Sequence, residues 1–183
     1  MWNLNESAGE LLVKTGVSGR AARMGHRLLI AMQSWQAEVR WAGDEPSGVD
    51  VTVEVDSLQV VRGEGGVKGL SEPEKTVVRS NALKALDANR FRQIRFQAND
   101  IQRSDTGFRL GGTLEIHGQT RERVVDVQLE DLGDAWRITC DAEVRQSDFG
   151  VKPYSILLGS VSVADTVTVS FDAQRAKDGT DSS

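Results

Sequence analysis

Apolar and polar residues alternate with a period of two in most segments from Leu28 to Asp172, with one helical interruption. That pattern constrains the fold most, because it belongs to strands with one face buried and one face wet. It is cleanest in the hairpin Gly111 to Leu129, GGTLEIHGQTRERVVDVQL. On the first arm Leu110, Leu114 and Ile116 oppose Arg109, Glu115 and His117; on the second, Val125, Val127 and Leu129 oppose Asp126, Gln128 and Glu130. Gly118 lies between them, where a tight reversal needs a positive φ.

The same reading extends in both directions. Leu28, Ile30 and Met32 alternate with Arg27, Ala31 and Gln33, and after a bend Trp35, Ala37, Val39 and Trp41 take one parity. Val49 to Val55, Ile94 to Ala98, Phe108 onward, Trp136 to Val144 and Val167 to Phe171 follow the rule. Leu11 to Thr15 is a further strand whose facing the pattern leaves open, and Gly16 to Gly25 reads as a loop or one helical turn. The interruption begins at Ser71, where the period changes to 3.6. Ser71 and Glu74 have capping-box spacing, Pro73 falls in the first turn, and Val78, Ala82, Ala85 and Leu86 form one stripe of a helix ending near Leu86.

About eight antiparallel strands, connected in sequence by hairpins, and one amphipathic helix are therefore expected. A sandwich and an up-and-down barrel both satisfy the alternation. One domain is expected over residues 10–175, after an exposed lead-in (1–9) and before a disordered tail (176–183). Arg62 to Leu70, RGEGGVKGL, lacks phosphate-loop spacing and is expected to be a mobile loop. Val151 to Gly159 reads as an irregular crossing or short helix around Pro153.

Charge and composition narrow the function. A net charge of −5 and a pI near 5.1 argue against a general nucleic-acid binder, which needs a basic face. No apolar run reaches the length of a membrane span, and MWNLNESAGELL has neither a basic nor an apolar signal region, so a cytoplasmic protein is expected. Cys140 is the only cysteine; it cannot form an intrachain disulfide, and its inward parity suits a small hydrophobe. No cofactor or metal is expected, since His26 and His117 lie on separate elements without a third ligand. His117 reads as a turn residue, and Ser147 and Asp148 as turn or cap residues.

Several motifs, in order, resemble the YceI-like family, the polyisoprenoid-binding proteins with a lipocalin-like extended barrel. Leu114 to Val127, LEIHGQTRERVVDV, is the most specific. Arg79 and Ser80 with Leu83 and Leu86, Arg90 to Phe96 (RFRQIRF), Ser147 to Gly150 (SDFG) and Ala164 to Val169 (ADTVTV) match further family segments. GRAARMGHRLLI and VKPYSILLGSVSVADTV resemble a non-secreted, actinobacterial branch. Arg92 and Glu122 stand where proline is usual, and Leu83 and Leu86 replace aromatics.

The resemblance implies a barrel enclosing a long apolar lipid: an isoprenoid quinone, a polyprenyl or a fatty-acyl chain. The alternation itself is also met by side chains that simply fill the barrel. Leu28, Ile30, Val53, Val55, Ile94 and Phe96 would line the lumen from the N-terminal half. Phe108, Leu110, Leu114, Ile116, Val125 and Val127 would line it from the hairpin. Ile138, Cys140, Val167 and Val169 would complete the wall, with Val78 on the helix and Tyr154 on the crossing segment as lid. Arg23, His26 and Arg79 are candidate contacts for an anionic head group. Two other readings remain: an enzyme acting on a hydrophobic substrate through His26 or Tyr154, and a filled barrel that binds a protein partner. Family analogy also suggests a homodimer.

Overall fold

Every strand in the structure, a computed structural model that describes residues 1–177, belongs to one antiparallel sheet. The strands are β1 (Trp2–Asn5), β2 (Gly9–Ser18), β3 (His26–Met32), β4 (Trp35–Ala42), β5 (Glu45–Glu54) and β6 (Leu58–Gly65). After the helix α1 (Glu72–Ala85) come β7 (Gln93–Arg103), β8 (Gly107–Ile116), β9 (Gln119–Asp131), β10 (Ala135–Arg145), β11 (Ser155–Ile156) and β12 (Val161–Ala176). Their order across the sheet is β1, β4, β5, β7, β8, β9, β10, β12, β2, β3, β6, with β11 attached to β12. Side chains alternate between the two faces of a sheet, so one with a single apolar face curls to shut that face from water. Apolar side chains from β1 round to β6 accordingly meet across one lumen.

The all-β class and the single helix agree with expectation, whereas the strand count and connectivity do not. Twelve strands replace about eight. β1 and β11 are only four and two residues long, too short to show a period. Part of the glycine-rich segment expected to be a mobile loop extends β6, whose Arg62 to Gly65 pair with Leu29 to His26. Simple up-and-down order holds from β7 to β10 and on to β12, but the N-terminal strands are interleaved. The lead-in expected to be exposed is the edge strand β1, with Leu4 buried opposite Ala37. Of the tail expected over 176–183, Ala176 pairs with Ala135, and Lys177 donates its N–H to Asp134 O at 2.8 Å and lies over Trp136. Residues 178–183 lie outside those described.

β1 and β6 are the free edges of the sheet and share no ladder. The chain crosses between them three times instead, from Asn5 to Gly9, Met32 to Trp35 and Glu54 to Leu58. Two crossings are tied together, since Gln33 N donates to Ser57 O at 3.2 Å and Glu54 N to Ser34 O at 3.0 Å. Trp35, 1% exposed, plugs this seam and meets Phe171 edge-on with ring centroids 5.0 Å apart.

A second irregularity lies in the wall. β9 and β10 pair over only four positions, Gln128–Asp131 with Thr139–Trp136. Beyond them no ladder joins the two strands, and the guanidinium of Arg123 on β9 donates to the carbonyl of Glu143 on β10. Neighbouring β8 and β9, by contrast, pair continuously from Gly107 to Ile116.

The helix forms where the period change places it. Ser71 and Glu74 make a reciprocal capping box, and Glu72 and Glu74 complement the positive end of the helix dipole. Its inner stripe, with Val78, Ala82, Ala85 and Leu86, faces the lumen. Arg79 fastens the helix to the seam by donating from Nε to Leu58 O at 2.7 Å and from its terminal nitrogen to Asp56 O.

Candidate functional site: an apolar lumen

The lumen is a cavity of about 640 Å³, within the range of clefts that enclose a small-molecule ligand. Its walls are built by parity. β3 contributes Leu28 and Ile30, β5 Val53, and β7 Ile94 and Phe96; β8 adds Leu110, Leu114 and Ile116. Val125 and Val127 of β9, Ile138 and Cys140 of β10, and Val167 and Val169 of β12 complete it, and Val78 and Tyr154 also border it.

Two residues expected there are elsewhere. Val55 follows the end of β5, where the chain enters a 3-10 turn and the alternation lapses. Its side chain is buried outside the lumen lining, and its N–H donates to Arg92 O at 2.9 Å. Phe108 has the inward parity but sits beyond Leu110, under the guanidinium of Arg103 at 5.3 Å from its ring centroid.

The candidate head-group residues also separate. Arg79 is engaged by the two seam carbonyls and does not line the cavity. Arg23 is exposed on a 3-10 turn (Ala22–Met24) next to the lumen, and His26 lines the lumen. His26 Nε2 lies 2.6 Å from Lys68 O; since a carbonyl only accepts, Nε2 carries the proton and donates. His117 is a turn residue at φ 54° beside Gly118 at φ 70°, packed against Phe91 with ring centroids 4.8 Å apart.

Other lining residues escaped the sequence reading. Leu11, Val13, Thr15 and Val17 settle which face of β2 points inward. Asn81, Arg123, Gln146 and Ser162 supply polar atoms to a predominantly apolar wall. Arg123 shares the parity of Val125 and Val127, and that was its only signal. Thr15 Oγ1 accepts from Leu28 N at 3.0 Å, while Gln146 Nε2 donates to Ala164 O at 3.0 Å. Among the described residues no group of three His, Cys, Asp or Glu could hold a metal, and no helix is long and apolar enough to cross a membrane.

Burial pushes the Cys140 thiol up to about 11, with Asp141 and Asp126 adding to the effect. At about pH 8 only about one thiol in a thousand is then ionised, and the thiolate is the reactive form. Iodoacetamide should leave Cys140 unmodified in the folded protein and alkylate it once denaturant is added, as read by intact mass.

A curled antiparallel sheet around an apolar lumen, with one helix along its side, defines a barrel-type fold with an internal cavity. The model of the YceI-like domain matches residues 2–175, and the chain belongs to the YceI-like family. Burkholderia cenocepacia BcnA is similar in structure, with a TM-score of 0.65 at 16% identity over 90% of this chain and 96% of that one. A Campylobacter jejuni YceI protein aligns with a TM-score of 0.60 at 13% identity, covering 82% and 85% of the two chains. At these identities the likeness concerns the fold. A sequence comparison with curated proteins finds no match.

Proposed function

We propose that the protein binds and carries one long apolar lipid, an isoprenoid quinone, polyprenyl or fatty-acyl chain, inside the lumen without chemically altering it. The observation that carries this reading is the continuous cavity of about 640 Å³ with a predominantly apolar wall. Such a wall selects by length and shape, since burial contributes roughly 25 cal/mol per Å² of apolar surface. A chain burying on the order of 400 Å² gains roughly 10 kcal/mol before ordering costs are subtracted. Asn81 and Arg123 are the groups suited to a polar head or an unsaturated terminus.

A binding role is favoured over an enzymatic one because the candidate acid–base residues are poorly placed for chemistry. His26 Nε2–H is held by Lys68 O, and Tyr154 is exposed at the cavity border; among the described residues neither is hydrogen-bonded to a nucleophile or to a second acid–base side chain. Resemblance of the His26 and Tyr154 segments to the non-secreted branch supports a cytoplasmic site of action, which cell fractionation tests.

The deciding experiment is native mass spectrometry of the purified protein, followed by organic extraction. A stoichiometric adduct that yields a prenyl or acyl chain is expected, and the same spectrum reports the number of subunits. An apo mass that persists after incubation with quinones, polyprenols and fatty acids overturns the carrier reading.

A further inference from the structure

Three loops meet at one border of the lumen. Residues 19–25 touch residues 159–160, with Ala21 N donating to Ser160 O at 2.8 Å, and Gly25 lies so close to Val17 and Val161 that no side chain fits. Residues 65–70 join them through His26, which pairs with Gly65 and donates to Lys68 O. The loops carry an exposed apolar set: Met24, Val67 (93% exposed), Ile156, Leu157 and Leu158 (107% exposed). Leu157 and Leu158 have φ of 52° and 55°, a left-handed conformation that leucine rarely takes. Met24 and Ile156 also line the lumen, so the exposed apolar surface is continuous with the cavity wall.

The charge at this border is opposite to that of the whole chain. Segments 19–27, 65–70 and 150–160 contain Arg20, Arg23, Arg27, Lys68 and Lys152 and no acidic residue, although the protein has a net charge of −5. All five cations are exposed. Of the nearby acids, Glu64 is paired with Arg62 at 2.8 Å, whereas Glu74, held by the Ser71 cap, keeps its negative charge close to Lys68; the five cations still outnumber it. Large apolar side chains ringed by cations suit a bilayer interface with anionic head groups, where the apolar groups enter the acyl boundary and the cations meet phosphates.

We infer that this rim docks on an anionic membrane surface, placing the open border of the lumen against the lipid it exchanges. The inference builds on the carrier reading but is tested separately from it. Co-sedimentation with vesicles of phosphatidylcholine alone, and with about one-third phosphatidylglycerol added, measures the docking. Binding about tenfold tighter to the anionic vesicles, weakening as salt rises, is expected. Leu157→Asp with Leu158→Asp should abolish it; Leu158 is fully exposed, so the fold should be unaffected, which circular dichroism checks. Arg20→Glu with Arg23→Glu should remove the anionic preference.

Failure to bind either vesicle, equal binding to both, or binding unchanged in the leucine variant overturns docking. Self-association through the rim, seen by ultracentrifugation without vesicle binding, also overturns it in favour of a second copy as occupant. Native mass spectrometry of the same samples reports the lumen independently. A rim variant that still carries lipid but no longer binds vesicles supports docking, and a wild type that binds vesicles without ever carrying a chain leaves docking standing while the carrier reading falls.

Discussion

Ala142→Trp is expected to weaken binding of a long acyl or prenyl probe about a hundredfold while the protein stays folded. Ala142 lies in the lumen wall, opposite Val169 in the ladder. An indole there occupies space the structure leaves empty, so overpacking is small and the stability change should stay below about 1.5 kcal/mol. The ligand is displaced from room for about four methylenes, at about 0.8 kcal/mol each, or roughly 3 kcal/mol in all. That is about a hundredfold in Kd. Displacement of a fluorescent fatty acid, with thermal melts as the folding control, measures both quantities. Phe108→Ala is the matched control, since Phe108 lies outside the lining, and it should leave affinity unchanged. Undiminished binding by Ala142→Trp would place the ligand outside the lumen.

Trp35→Ala should be the most destabilising single substitution at the seam. Trp35 is 1% exposed, pairs with Val53 and packs edge-on to Phe171 from the opposite part of the sheet. Truncating a buried aromatic side chain typically costs about 3–5 kcal/mol, a large share of the roughly 5–15 kcal/mol that holds a domain together. No ladder joins β1 to β6, so the interdigitated plug must do there what hydrogen bonds do elsewhere in the wall. Urea unfolding should show the midpoint falling sharply. A loss under about 1 kcal/mol would mean that the crossings close the seam without the plug.

What the sequence revealed and what it concealed have separate physical origins. Alternation exposes the facing of β8, β9, β10 and β12, because each has one wet and one dry side. Ser71 and Glu74 mark the helix start through a local contact three residues long. The seam left no such trace: β1 pairs with β4 across more than thirty residues of chain, and a strand of four residues has no period to detect. Leu11, Leu12 and Val13 are all apolar, so parity could not orient β2. Val55 keeps the inward parity in sequence but lies one residue past the point where the backbone turns. Arg123 is illegible in the alternation, because a charged residue at an inward position breaks the rule that inward side chains are apolar.

The short β9–β10 ladder gives the lumen an uneven elasticity. A fully paired hoop resists widening, because expansion strains hydrogen bonds around its whole circumference. Between Gln119 to Val127 and Cys140 to Arg145 there is no ladder to strain, and the Arg123 guanidinium that spans this stretch is a long, jointed strut. Away from the β1–β6 seam that Trp35 plugs, the girth of the barrel is therefore most adjustable along this line, so chains of different thickness can be accommodated there while the other ladders keep their register.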